Sequence, residues 1–179
     1  MDMETICRGA ARVGALVCEA SPADRDEICE MLAVCDAFTQ EEVRVALEVL
    51  DAGLAGGLDG DYPVFVAKSD GEVRGYICVG KTPLTENTWH LYWICVHPTA
   101  QGQGVGRLLL EFAETFVGSR SGRRLVLETS EKPSYERSRR FYEAAGYEVV
   151  GRIRDFYRPD DHCVFFCKEL GSGRPEQIA

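Results

Sequence analysis

Hydrophobic periodicity divides the chain into alternating strand-like and helix-like stretches. Residues Trp89 to Val96 read WHLYWICV, a nearly unbroken apolar and aromatic run that predicts a strand buried on both faces. Downstream, Val105, Leu108, Leu109, Phe112, Ala113 and Phe116 fall on one helical stripe, and Gly118 is the expected left-handed stop. Earlier in the chain, Val13 to Glu19 reads as a short strand. Ser21-Pro22-Ala23-Asp24 follows as an N-cap with proline at the first helical position, opening a helix that carries Ile28, Met31, Leu32 and Cys35. Thr39-Gln40-Glu41-Glu42 is a capping box before a second helix with Val43, Leu47 and Leu50, ended by the glycine-rich stretch Gly53 to Gly60. Tyr62 to Lys68 and Val73 to Lys81 are strands joined by the hairpin signal Ser69-Asp70-Gly71-Glu72. Arg124 to Ser130 is another buried strand, followed by a helix from about Pro133 to Ala145 that Gly146 stops. Tyr147 to Tyr157 and His162 to Leu170 close the pattern as a hairpin around Arg158-Pro159-Asp160-Asp161.

Between the aromatic strand and its helix lies Val96-His97-Pro98-Thr99-Ala100-Gln101-Gly102-Gln103-Gly104-Val105-Gly106-Arg107. Three alternating glycines let the backbone pass close to a ligand and aim several N–H groups at it. The helix N-terminus adds its positive dipole end, which makes the turn an anion site. The spacing differs from the dinucleotide fingerprint G-x-G-x-x-G, and no Gly-Lys-Ser/Thr follows as in a nucleotide-binding P-loop.

Composition narrows the partners. At 179 residues the chain has the length of one domain. Its 20 basic and 29 acidic residues leave a net charge of −9, which disfavours nucleic acid and anionic membrane and weakly favours amines. No apolar run reaches the roughly 20 residues of a membrane span, and MDMETICRGA lacks a secretory apolar core, so a cytoplasmic location is expected. The eight cysteines read mostly as core-sized apolar side chains. Cys163 and Cys167 lie on one alternating stretch that would hold them about 13 Å apart, and no C-x-x-C pair occurs, so no metal is assigned.

Gln101-Gly102-Gln103-Gly104-Val105-Gly106 after a strand ending in Val-x-Pro resembles the acetyl-CoA pyrophosphate loop of the GNAT superfamily of N-acetyltransferases. Phe141-Tyr142-Glu143-Ala144-Ala145-Gly146-Tyr147 resembles a second string of that family, Phe/Leu-Tyr-x-x-x-Gly-Phe. The element order is similar over roughly residues 13 to 170, and the motif pattern looks most like the branch that acetylates ribosomal-protein N-termini. The resemblance implies an α/β (α+β) fold: one domain over 13–170, with a mixed, mostly antiparallel sheet of about seven strands and about four helices. Residues 1–12 are then an N-terminal extension and 171–179 a disordered tail. It further implies a splayed parallel pair, Trp89–Val96 and Arg124–Ser130, with the pantetheine arm of acetyl-CoA bonded to backbone groups of Ile94, Cys95 and Val96. Loop residues Gln101 to Gly106 would hold the pyrophosphate, Arg107 would meet a phosphate, and Ser138 stands at the helix start where many members carry an asparagine.

Amine acetylation requires removal of a proton from an ammonium, polarisation of the thioester carbonyl, and an acid for the leaving thiolate. The family's helix tyrosine commonly points at the sulfur, which makes Tyr142 the candidate acid. Glu128 stands near the C-terminal end of a buried strand, on the face of Val126 and Ser130, at the crevice where open α/β sheets place ligands. The family's pattern makes it the candidate base. His90 is the other base candidate, since an imidazole exchanges protons near neutral pH. His97 reads as a turn residue, and Asp160, Asp161 and His162 as a solvated turn that could also recognise an amine.

The expected function is therefore acetyl-CoA-dependent transfer to a primary amine of a small molecule, amino acid or peptide N-terminus, in a ternary complex. A homodimer is compatible with this. The alternative is a non-catalytic acyl-CoA-binding sensor or interaction module, which would bind cofactor without turnover.

Overall fold

The structure is a computed structural model and describes residues 13–35 and 38–171. The expected extension 1–12, and the tail beyond Gly171, lie outside the described residues. Seven strands, β1 (Leu16–Glu19), β2 (Val64–Ser69), β3 (Glu72–Lys81), β4 (Thr88–Val96), β5 (Arg124–Ser130), β6 (Glu148–Arg158) and β7 (Asp161–Glu169), follow one another in the sheet order β1-β2-β3-β4-β5-β7-β6. The α-helices among the described residues are α1 (Arg25–Ala33), α2 (Gln40–Gly56), α3 (Val105–Ser119) and α4 (Glu136–Ala144). β4 and β5 pair in parallel, while β1–β2, β2–β3, β5–β7 and β6–β7 are antiparallel. The mixed α/β sheet expected from the sequence is present, with seven strands and four helices.

The described residues divide into two compact units, those within 13–81 with 91–116, and 82–90 with 117–171. In the first, Ile28, Met31 and Leu32 of α1 and Ala46 and Leu50 of α2 bury against Val64, Val66, Tyr76, Cys78 and Cys95. The other face of β2 takes α3, where Phe65 meets Phe112 and Phe116 at centroid separations of 5.0 and 4.7 Å. The start of α2 is fixed by its capping box: the Glu42 N–H donates to Thr39 Oγ1 at 3.2 Å, and the Thr39 N–H donates to the Glu42 carboxylate at 2.7 Å. Asp24, in the turn just before α1, is buried. It accepts from the Ser21 N–H and hydroxyl at 2.9 Å and pairs with Lys68 Nζ at 2.5 Å. Burial pushes its carboxyl up, but the Lys68 and Ser21 bonds outweigh this and hold it below its ordinary value.

In the second unit α4 lies on the face of the β5–β7–β6 ladder that carries Phe166, whose ring is 5.8 Å from that of Tyr142. Gly146, with φ 86°, ends α4 as expected. Gly118 does not end α3. The helix runs through it to Ser119, and the left-handed residue is Ser121 at φ 60°. Ser121 N–H donates to Gly118 O at 3.0 Å and Gly122 N–H to Val117 O at 2.9 Å, a Schellman closure. Val117, directly before the glycine, is fully buried, and the helix passes Gly118 by one residue before closing at the left-handed Ser121.

None of the seven described cysteines is in a disulfide; Cys35, Cys78, Cys95 and Cys163 are buried as expected, Cys29 and Cys167 only partly, and Cys18 is exposed. No helix among the described residues is long and apolar enough to cross a membrane.

Candidate active site

In the first unit, β4 delivers the chain into a single 3-10 turn at Pro98–Ala100 and then the glycine loop. His97 is a turn residue as expected, its Nδ1 lying 2.8 Å from Thr99 Oγ1. Gly102 and Gly104 adopt φ values of 77° and 92°, a left-handed region that side-chain-bearing residues avoid. A Cβ on Gly104 would also approach Val13 Cγ2 to 3.1 Å. The first intrahelical bond of α3 runs from Leu108 N–H to Gly104 O at 3.0 Å, so the N–H groups before it form the electropositive head of the helix.

The side chains of Gln101 and Gln103 brace this loop from within. Gln101 Nε2 donates to Val96 O at 3.2 Å and Gln103 Nε2 to Thr99 O at 2.7 Å. Both side-chain amides are thus engaged within the loop. Arg107 Nε lies 2.6 Å from Glu111 Oε1, one turn along α3, so its guanidinium is partly neutralised. A cleft of about 260 Å³ opens beside the loop, lined by Ser69, Arg74, Thr99, Gln103 and Val105 among others. No motif singles out Arg74; only the sheet order brings it there. Backbone that tolerates close approach, a helix N-terminus and adjacent concave space fit a phosphorylated ligand.

Ile94 and Val96 are half-buried on β4, while Cys95 is buried among the α1–α2 core residues. The Cys95 thiol is raised by its hydrogen bond with Cys35 and by burial, so it stays neutral and structural.

In the second unit the parallel ladder pairs Thr88 with Arg124, Trp89 with Leu125 and His90 with Val126. This register puts His90 and Glu128 on one face, and His90 Nε2 lies 2.8 Å from Glu128 Oε2. The two base candidates are thus partners in one ion pair when His90 is protonated. Their side chains are 20% and 34% exposed, so the pair is reachable from solvent.

Tyr142 lies on the opposite face. Leu127 pairs with Phe166 and Glu128 with Phe165, and the Tyr142 ring packs on Phe166, on the face that carries Leu127. Tyr142 is 7% exposed, and burial raises its phenol well above the ordinary value. It remains a proton donor at any physiological pH.

Ser138 is half-buried on α4. Its neighbour Arg139 points inward and donates to Ser130 O and Lys132 O at 2.8 and 2.9 Å, clamping the β5–α4 connection. Asp161 is not a solvated turn residue. It is 3% exposed and takes a 2.5 Å hydrogen bond from Ser130 Oγ, with Lys132 Nζ at 2.8 Å and Arg158 Nε at 3.4 Å. Burial pushes its carboxyl up, and the Lys132 and Ser130 bonds bring it below the ordinary value. Asp160 is exposed and donates its N–H to Asp155 Oδ1 at 2.9 Å; the Asp155 N–H in turn donates to His162 Nδ1 at 3.0 Å.

The acetyltransferase (GNAT) family profile matches residues 26–147. A structure from Desulfovibrio desulfuricans, described as a GNAT-family acetyltransferase, is 35% identical, with a TM-score of 0.83 over 88% of this chain and 99% of that one. The Escherichia coli ribosomal-protein-S18-alanine N-acetyltransferase shares the fold at 17% identity, with a TM-score of 0.70 over 92% and 99% of the two chains. A Salmonella typhimurium acetyltransferase solved with acetyl-CoA does so at 19% identity, with a TM-score of 0.67 over 93% and 99%. A search of curated proteins matched none. By family profile and by structure, the chain belongs to the acetyltransferase (GNAT) family.

Proposed function

We propose that this protein transfers the acetyl group of acetyl-CoA to a primary amine by direct attack in a ternary complex. The observation that carries the reading is the glycine loop, with Gly102 and Gly104 left-handed at the head of α3, in a member of an acetyltransferase family. In this reading the backbone N–H groups from Gln101 to Arg107 hold the pyrophosphate. Backbone groups of Ile94, Cys95 and Val96 hold the pantetheine arm, and Ser138 is a further cofactor-binding residue of α4.

When bound, the cofactor supplies an activated acyl carbon with a thiolate leaving group. Glu128, paired with His90, takes a proton from the acceptor ammonium and leaves a nucleophilic nitrogen lone pair. The N–C bond would form as the C–S bond breaks, with the amine arriving from the Glu128 face and the sulfur leaving toward the Tyr142 phenol, which would give it a proton; the second nitrogen proton would pass to solvent. Burial keeps the Tyr142 phenol protonated until the thiolate appears. Bulk water restores its proton after product release.

Titration of the protein with acetyl-CoA tests the first half: the melting temperature rises with ligand concentration by mass action. Release of CoA thiol on a panel of primary amines tests the second. A melting shift without thiol release from any amine would favour the binding module over the enzyme.

A further inference from the structure

The face of β5–β7–β6 that carries Glu128 has an unusual composition. Register places Phe165 beside Glu128, and Cys163 and Ile153 beside Ser130. Beyond Ile153 the edge strand β6 is irregular until Arg158, and Asp155 in this stretch sits at φ 54°. The irregularity turns two successive aromatics toward the same face. The Phe156 ring lies 6.4 Å from Phe165, and Tyr157 Oη lies 3.7 Å from Cys163 Sγ. The two rings meet edge to face at 5.0 Å, yet Phe156 is 50% and Tyr157 44% exposed. Burial first, and then the Cys163 bond, push the Tyr157 phenol up. Arg152 pairs across with Val164, on the other face, and Arg158 is drawn to Asp161. An exposed pair of aromatics therefore borders a solvent-accessible carboxylate.

We propose that the acceptor is a primary amine on an aromatic or apolar skeleton, its ammonium against the Glu128–His90 pair and its skeleton along Phe156 and Tyr157. This rests on the acetyl-transfer reading and names its substrate class. Charge complementarity chooses the amine end: an ammonium satisfies a carboxylate that reaches solvent, and an amine must reach the base to be acetylated. The aromatic pair chooses the rest, because a hydrophobic group laid on exposed rings removes apolar surface from water on both sides. A polycationic, polyhydroxylated amino sugar offers these rings less apolar surface than an aryl or alkyl amine. One hydrophobic group in a subsite is worth roughly 10- to 200-fold in discrimination.

The experiment compares 2-phenylethylamine, ethanolamine and an aminoglycoside with wild type, Phe156→Ala and Phe156→Leu. Thiol release gives kcat/KM, and calorimetry in excess CoA gives binding without chemistry. The expected result is kcat/KM at least tenfold higher for 2-phenylethylamine than for ethanolamine or the aminoglycoside. Phe156→Ala loses about tenfold on the aryl amine, mostly through KM, stays within twofold on ethanolamine, and Phe156→Leu recovers most of the loss. Equal or better use of the polar amines, or no effect of Phe156→Ala, overturns the proposal. So does a change in molecular mass by light scattering in Phe156→Ala with KM unchanged, which would make this face a contact with a second copy. Calorimetric preference for the aryl amine without thiol release from any amine would leave the acceptor class standing and remove the acetyl-transfer reading.

Discussion

The head of α3 and the open face of β5–β7–β6 each present recognition chemistry, by opposite means. At α3 the groups offered are backbone N–H donors, shaped by Gly102 and Gly104, while the polar side chains of Gln101, Gln103 and Arg107 are occupied with the loop itself or its helix. On the Glu128 face the groups offered are side chains: one carboxylate, one imidazole and two exposed aromatics. A backbone site depends on φ and on helix position, so few substitutions retune it and most destroy it. A side-chain site can be rebuilt one residue at a time without disturbing the ladder beneath it. The first suits a ligand every member shares, and the second an acceptor that differs from member to member.

The strongest way to break this contrast is to attack the proposed chemistry while leaving both binding regions intact. Tyr142→Phe is expected to lower kcat about 10²- to 10³-fold, the range of a lost general acid, with the acetyl-CoA melting shift preserved. Glu128→Gln is expected to lower kcat about 100-fold and to raise the acceptor KM, since it removes both a base and a counter-charge. Full turnover in either variant, measured by thiol release, would remove that residue from the mechanism.

Next in size is the backbone site. Gly104→Val places a β-branched residue at φ 92° with Val13 in the way, and is expected to abolish the acetyl-CoA melting shift. Arg107→Ala, by contrast, should leave the shift nearly unchanged, because its guanidinium is already paired with Glu111. A larger loss of affinity from Arg107→Ala than from Gly104→Val would reverse the backbone account.

Smaller effects read the scaffold. Asp161→Asn leaves Lys132 without its counter-charge and should cost about 1–3 kcal/mol near neutral pH. The folded-state carboxyl is held below the roughly 3.9 of an unfolded chain, so its stabilisation is present above that value and lost as pH falls through the folded one. Denaturant midpoints against pH should therefore drop in acid for wild type and flatten over that window in Asp161→Asn. Thr39→Ala, at the exposed cap of α2, is expected to cost only about 1 kcal/mol and to leave activity untouched.

The order of elements, the capping box at Thr39, the glycine loop and the Gly146 stop were all legible in the sequence, because each is written in consecutive residues. Features that depend on register were not. His90 and Glu128 are 38 positions apart and meet only because the parallel ladder aligns His90 with Val126. Asp161 sits in what reads as a polar turn, and the Ser130 and Lys132 partners that justify its burial come from the end of another strand. Gly118 offered a local stop, but the helix runs through it to Ser119 and the left-handed position falls at Ser121. The exposure of Phe156 and Tyr157 follows from the irregularity at Asp155, which interrupts the alternation that would predict their faces.

The most direct test of the account follows CoA thiol release and acetylated product together, with wild type and Tyr142→Phe supplied with acetyl-CoA and a primary amine. The account predicts one acetylated amine per thiol released by wild type, near-complete loss of turnover in Tyr142→Phe, and the same acetyl-CoA melting shift in both. A protein that shows the melting shift yet releases no thiol to any primary amine would contradict it.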